Sequence, residues 1–118
     1  MADPAFDLAM PLRRHDFEQH PDGLVTVLVP KFSSRLARRF VLPLLAKPVI
    51  RVHLDEMGSL VWLACDGQTT VARLTELVQQ RLGVAPPAAQ QRVHTFLHQL
   101  TREGSLAFQA PADEAGSP

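Results

Sequence analysis

The chain is poor in the features that most often betray a function. It has a single cysteine, Cys65, so it cannot close an internal disulfide. That fits a reducing compartment, where folds rely on packing rather than cross-links. It has no excess of either charge: Lys and Arg total 12, Asp and Glu total 12, and the formal net charge is zero. A dedicated nucleic-acid binder draws much of its affinity from neutralising phosphates, so this balance speaks against one, although not against a local basic patch. Long apolar runs are absent. "FVLPLLA" falls far short of the ~18 residues that a membrane-spanning helix needs. The start, "MADPAFDLAM", carries Asp3 and Asp7 and lacks the basic opening and apolar core of a signal peptide. A soluble, cytoplasmic protein is expected, with no membrane partner. No obvious nucleophile, metal cage or phosphate loop stands out.

What is present is enough for a fold. A chain of 118 residues that is 46% hydrophobic supports one domain with its own core. Residues 1–12 show weak periodicity and two prolines and read as a flexible arm. Pro21-Asp22-Gly23 is turn chemistry, and "LVTVLV" after it is rich in β-branched residues, so a hairpin is predicted with a weaker edge strand at about His15–His20. Pro30 closes that hairpin. "SSRLARRFVLPLLAK" reads as a short basic amphipathic helix broken at Pro43, making residues 31–48 an insert. "VIRVHL", Val49 to Leu54, alternates at period two, with Ile50, Val52 and Leu54 on one face and Val49, Arg51 and His53 on the other.

Three helices are predicted next. Asp55 caps the first, with Glu56 in its first turn and Met57, Leu60, Val61 and Ala64 at helical spacing. Gly67 ends it through positive φ, Thr70 caps the second, and Leu82-Gly83 stops that one. The third runs from about Ala88 to Glu103, where Val93, Phe96, Leu97 and Leu100 follow the amphipathic pattern. "SLAFQ" reads as a short strand or an extended tail, and residues 109–118 as a disordered tail. The expected class is α+β and winged-helix-like: a small antiparallel three-stranded sheet packed on three helices, over residues 13–108.

The segment "LDEMGSLVWLACDGQTTVARL" resembles the PqqD family, named for protein D of pyrroloquinoline quinone biosynthesis. The residues that carry the resemblance are Leu54-Asp55-Glu56-Met57-Gly58, Val61-Trp62, Ala64-Cys65-Asp66-Gly67, Thr70-Val71 and Leu74. The closing "FLHQLTREGSL" is similar to that family's last helix. Ala72 and Arg73 depart from it, standing where many members carry acidic residues. The resemblance implies a small non-catalytic protein, also termed a RiPP recognition element. Such a protein binds the leader of a ribosomally made precursor peptide and presents it to a modifying enzyme, often of the radical S-adenosylmethionine type. The leader adds as a strand beside the third strand of the sheet and packs against the third helix. It does not carry the quinone pathway with it.

On that reading Val49, Arg51 and His53 flank the docking edge, and Arg92, Phe96 and Gln99 lie on helix faces that line the groove. Arg51 and Arg92 would suit a carboxylate. Arg35, Arg38 and Arg39 of the insert form either a solvated face or a partner-binding surface, with an anionic surface or nucleic acid as further options. An unpaired edge also admits a homodimer. A winged-helix DNA-binding regulator is the alternative, its third helix reading bases through Gln90, Gln91, Arg92, His94 and Arg102.

No catalytic residue, metal or cofactor is expected. His94 and His98 have metal-compatible spacing, but Thr95 stands where a metalloprotease needs its glutamate, and no second ligand cluster exists. Cys65, at the end of an apolar helix, reads as a buried structural thiol. Asp55 and Glu56, being adjacent, do not share a helix face, and capping accounts for both. Gly58 inside a helix implies close approach of another element, and Trp62 reads as an aromatic at the core edge.

Overall fold

The structure, a computed structural model, describes residues 4–30 and 49–109. The elements run α1 (Pro4–Leu8), β1 (Met10–Arg13), β2 (Phe17–Gln19), β3 (Val25–Pro30), β4 (Val49–His53), α2 (Glu56–Ala64), α3 (Val71–Leu82), α4 (Pro86–Arg102) and β5 (Leu106–Gln109). The class is α+β with two small antiparallel sheets, one ordered β2-β3-β4 and the other β1-β5. The basic insert, with Arg35, Arg38 and Arg39, lies outside the described residues, as does the tail beyond Gln109.

Helix boundaries follow local chemistry. The Asp55 carboxylate accepts from the Gly58 amide at 2.7 Å, opening α2. Thr70 Oγ1 accepts from the Arg73 amide at 3.2 Å and opens α3. Gly83 closes α3 in the left-handed region at φ 66°, where a side chain would be strained. Pro86 and Pro87 begin α4, where a missing amide proton costs nothing because the first N–H groups of a helix are unpaired anyway.

The core is a single cluster in which Val25, Val27, Val61, Trp62, Val71, Leu74, Val78, Val93 and Leu97 are almost wholly buried. Trp62 is central to it rather than at its edge: it is fully buried and meets Phe17 edge-to-face, with ring centroids 5.9 Å apart. The hairpin turn before β3 pulls Phe17 over α2, a long-range placement that helical periodicity does not reveal. Ser59 ties this helix to the sheet. Its Oγ accepts from the Val25 amide at 2.9 Å inside the core.

Residues 1–12 depart most from the sequence reading. The segment read as a flexible arm contains α1 and the start of β1. β1 pairs with β5, Pro11 opposite Phe108 and Leu12 opposite Ala107, so "SLAFQ" contributes a strand. The other edge of β1 bonds to the α2–α3 connection: Arg13 N donates to Cys65 O, and Gly67 N donates to Pro11 O. A four-residue strand has too short a period to show in sequence, and this one exists because two distant backbones supply its partners.

Candidate functional site

The outer edge of β4 is one of the two edges of the three-stranded sheet, β2 forming the other. Residues 26–30 of β3 pair with residues 53–49 of β4, Thr26 opposite His53 and Pro30 opposite Val49. Leu54 N donates to Val25 O at 2.9 Å, which sets the alternation. In an antiparallel ladder the next bonded pairs along β4 are therefore Val52 and Ile50. The N–H and C=O groups of Val49, Arg51 and His53 point the other way, and among the described residues no strand takes them. The edge is also apolar at its start, with Val49 40% and Ile50 51% exposed.

Side chains divide between the two faces as the period-two pattern implies. Val52, opposite Val27, and Leu54 turn toward the helices. Arg51 and His53 lie on the outer face, where Arg51 Nη1 meets Glu18 Oε1 at 2.6 Å and His53 Nδ1 lies 2.9 Å from Thr26 Oγ1. Thr26 Oγ1 is in turn 2.8 Å from His20 Nε2. Glu18, His20 and Thr26 were not legible as site residues, because only the β2–β3–β4 register brings them beside β4.

Of the expected helix residues, Phe96 is the one brought to the end of β4. A Cβ on Gly58 would stand 3.2 Å from Phe96 Cε1 and 3.3 Å from Leu54 Cβ. Gly58 thus permits α4 to close on the junction of β4 and α2, the close approach expected from a helical glycine. Arg92 and Gln99, one turn to either side of Phe96, are exposed on the same flank of α4. His94 and His98 occupy the opposite flank and hold α1. Phe6 stacks on His98 at 4.7 Å and meets His94 edge-on at 4.8 Å, while Asp7 Oδ1 lies 3.3 Å from His94 Nε2. The two histidines pack around an aromatic ring.

The remaining candidates have structural surroundings. Cys65 is fully buried, and burial pushes its thiol up to about 12, with the nearby Arg13 charge opposing. A thiol so raised is no nucleophile at neutral pH. Arg13 itself braces the end of α2: its Nη1 donates to Trp62 O at 3.0 Å, which also accepts from the Cys65 amide, and to Leu63 O at 2.8 Å. The Arg13 guanidinium also lies over the Phe17 ring, 5.4 Å from its centroid. Among the described residues there is no group of three or more potential metal ligands, and no helix long and apolar enough to cross a membrane.

No curated protein and no solved structure matches the chain. A family does. Residues 49–106, from the first residue of β4 to the first of β5, match the family model Coenzyme PQQ synthesis protein D (PqqD), which supports assigning the chain to the PqqD family.

Proposed function

We propose that the chain is a non-catalytic peptide-binding protein that takes the leader of a ribosomally made precursor peptide onto the outer edge of β4. There it presents the peptide to a modifying enzyme, of the radical S-adenosylmethionine type. The observation that carries this reading is the open β4 edge beside the Phe96 flank of α4, within the segment that matches the family. An unpaired edge gives a partner strand main-chain bonds with little demand on its sequence, and selectivity then comes from alternate side chains. Val49, Arg51 and His53 supply the edge. Phe96, flanked by Arg92 and Gln99, forms the opposite wall.

Family membership supports a partner in biosynthesis rather than a catalyst, and the surroundings of Cys65 and of the His94–His98 pair supply no reactive group. The peptide and the enzyme both follow from the family's role. Arg35, Arg38 and Arg39 are retained in the proposal as a surface for the enzyme.

The test is a backbone amide NMR titration of the full chain with leader peptides encoded beside its gene. Shifts concentrated in Val49–Leu54 and along the Arg92–Gln99 flank are expected. Shifts confined to residues 31–48 would move binding to the insert. Silence toward peptides together with a salt-dependent response to duplex DNA would overturn the reading in favour of a DNA-binding regulator.

A further inference from the structure

The outer face of the three-stranded sheet holds a polar arrangement that docking by backbone alone does not require. Thr26 is 1% exposed although it lies on the face away from the helices. Its hydroxyl stands between two imidazoles, 2.8 Å from His20 Nε2 and 2.9 Å from His53 Nδ1. A hydroxyl has one hydrogen to donate, whereas a neutral imidazole donates at one nitrogen and accepts at the other. One ring therefore receives the Thr26 proton while the other donates to the oxygen, and the tautomers of the two rings are set in opposite senses. Because His53 spends Nδ1 on Thr26, its Nε2 is the nitrogen left to meet a strand added to β4.

We infer that the docked segment carries a carboxylate side chain on the outer face, opposite Arg51 and His53, and that Thr26 couples its capture to the protonation pattern of His20. This rests on the strand-addition reading above. A residue paired with Arg51 or His53 through their outward N–H and C=O groups places its side chain on the same face as theirs. Arg51 spends Nη1 on Glu18, and a guanidinium has five N–H donors, so it retains donors for a second carboxylate. His53 adds an Nε2–H in two states. When neutral, it accepts the Thr26 proton at Nδ1, and His20 Nε2 donates to Thr26. When protonated, it donates from both nitrogens, and Thr26 turns its proton onto a neutral His20. Two rings donating at once would leave the buried hydroxyl proton without an acceptor.

Glu18 comes from β2, His20 is the residue just after that strand, and Arg51 and His53 come from β4. Asp55, just past β4, is committed to the Gly58 amide. The one carboxylate that β2 brings to this face is already paired with Arg51. A docked aspartate or glutamate is thus the group that fills the remaining donors.

The experiment is selection of a displayed random peptide library, about seven residues long to match an ordinary strand, on the full chain and on its His53→Phe variant. The expected consensus alternates apolar residues with positions enriched in Asp or Glu, and His53→Phe keeps the alternation while losing the acidic preference. A selected peptide binds roughly fivefold more weakly after Glu→Gln replacement at that position. Long-range proton–nitrogen NMR reads the rings directly: peptide addition shifts the His20 nitrogens in the wild type and not in Thr26→Val. An alternating consensus with no acidic position, or one unchanged in His53→Phe, overturns the carboxylate proposal while leaving strand addition intact. A consensus without alternation overturns both. His20 nitrogens that ignore the peptide in the wild type overturn the coupling.

Discussion

β1 and β4 are both short strands of four to five residues, but their backbones end up differently. β1 is hydrogen-bonded on both edges, by β5 on one side and by Cys65 and Gly67 of the α2–α3 connection on the other. β4 is bonded to β3 alone among the described residues, and it exposes Val49 and Ile50 beside its open edge. The flanks of α4 repeat the contrast. Phe6 packs against His94 and His98 on one flank, and Arg92 and Gln99 stand exposed around Phe96 on the other. One side is closed by its own chain, and the other has bonding groups that no described residue takes. Open edges invite aggregation, and the partner strand proposed above would cover this one.

Substitutions on the two sides should separate stability from binding. The largest effect is expected at the centre of the closed region: Trp62→Ala removes a fully buried indole and should cost about 3–5 kcal/mol in urea unfolding. Arg13→Ala strips two hydrogen bonds from the end of α2 and a cation from the Phe17 face; a loss of about 2 kcal/mol is expected by the same measurement, with little change in the unfolding slope. A destabilised but still competent binder would result.

The open region should show the reverse. Ile50→Lys places a charge at a half-exposed position, so stability should stay within about 0.5 kcal/mol while peptide affinity falls roughly tenfold by calorimetry. A stability loss equal to that of a core substitution would show that this edge is covered in solution. Hydrogen exchange sharpens the point without mutation: the Arg51 and His53 amides should exchange much faster than those of Val52 and Leu54, and a bound peptide should slow the first pair.

The smallest effect is a pH dependence. His15, bonded through Nδ1 to Ser105 Oγ at 3.0 Å, has its pKa lowered from 6.5, first by burial and then by the Arg14 charge, against the opposing pull of Asp16 and Glu103. Below 6.5 the unfolded chain takes up this proton before the folded one does. Stability is therefore complete above that value and declines as pH falls from it to the lowered folded value. Chemical denaturation across this window should show the decline, and His15→Gln should flatten it.

Much of the helical half was legible residue by residue. Asp55, Thr70 and Gly83 act at helix ends through bonds to their own near neighbours, and such local chemistry is written in order along the chain. Gly58 could be read as a close approach, but not what approaches. The site was only partly legible. Alternation in "VIRVH" identified the two faces of β4, yet Glu18, His20 and Thr26 join it only through pairing across β2 and β3. The N-terminal segment was the least legible, since β1 owes its existence to backbones far away in sequence.

The sequence by itself determined the three helices that follow β4, the hairpin, the alternation of β4 and the family likeness, because these rest on spacing and on interactions between neighbours. Only the tertiary structure decided that β4 pairs with β3 at an edge of its sheet, that Trp62 is central, that Phe96 meets the end of β4, and that two histidines share one threonine. Those outcomes depend on register and on packing between distant segments, and a one-residue slip in pairing would reverse the faces without altering a single local preference.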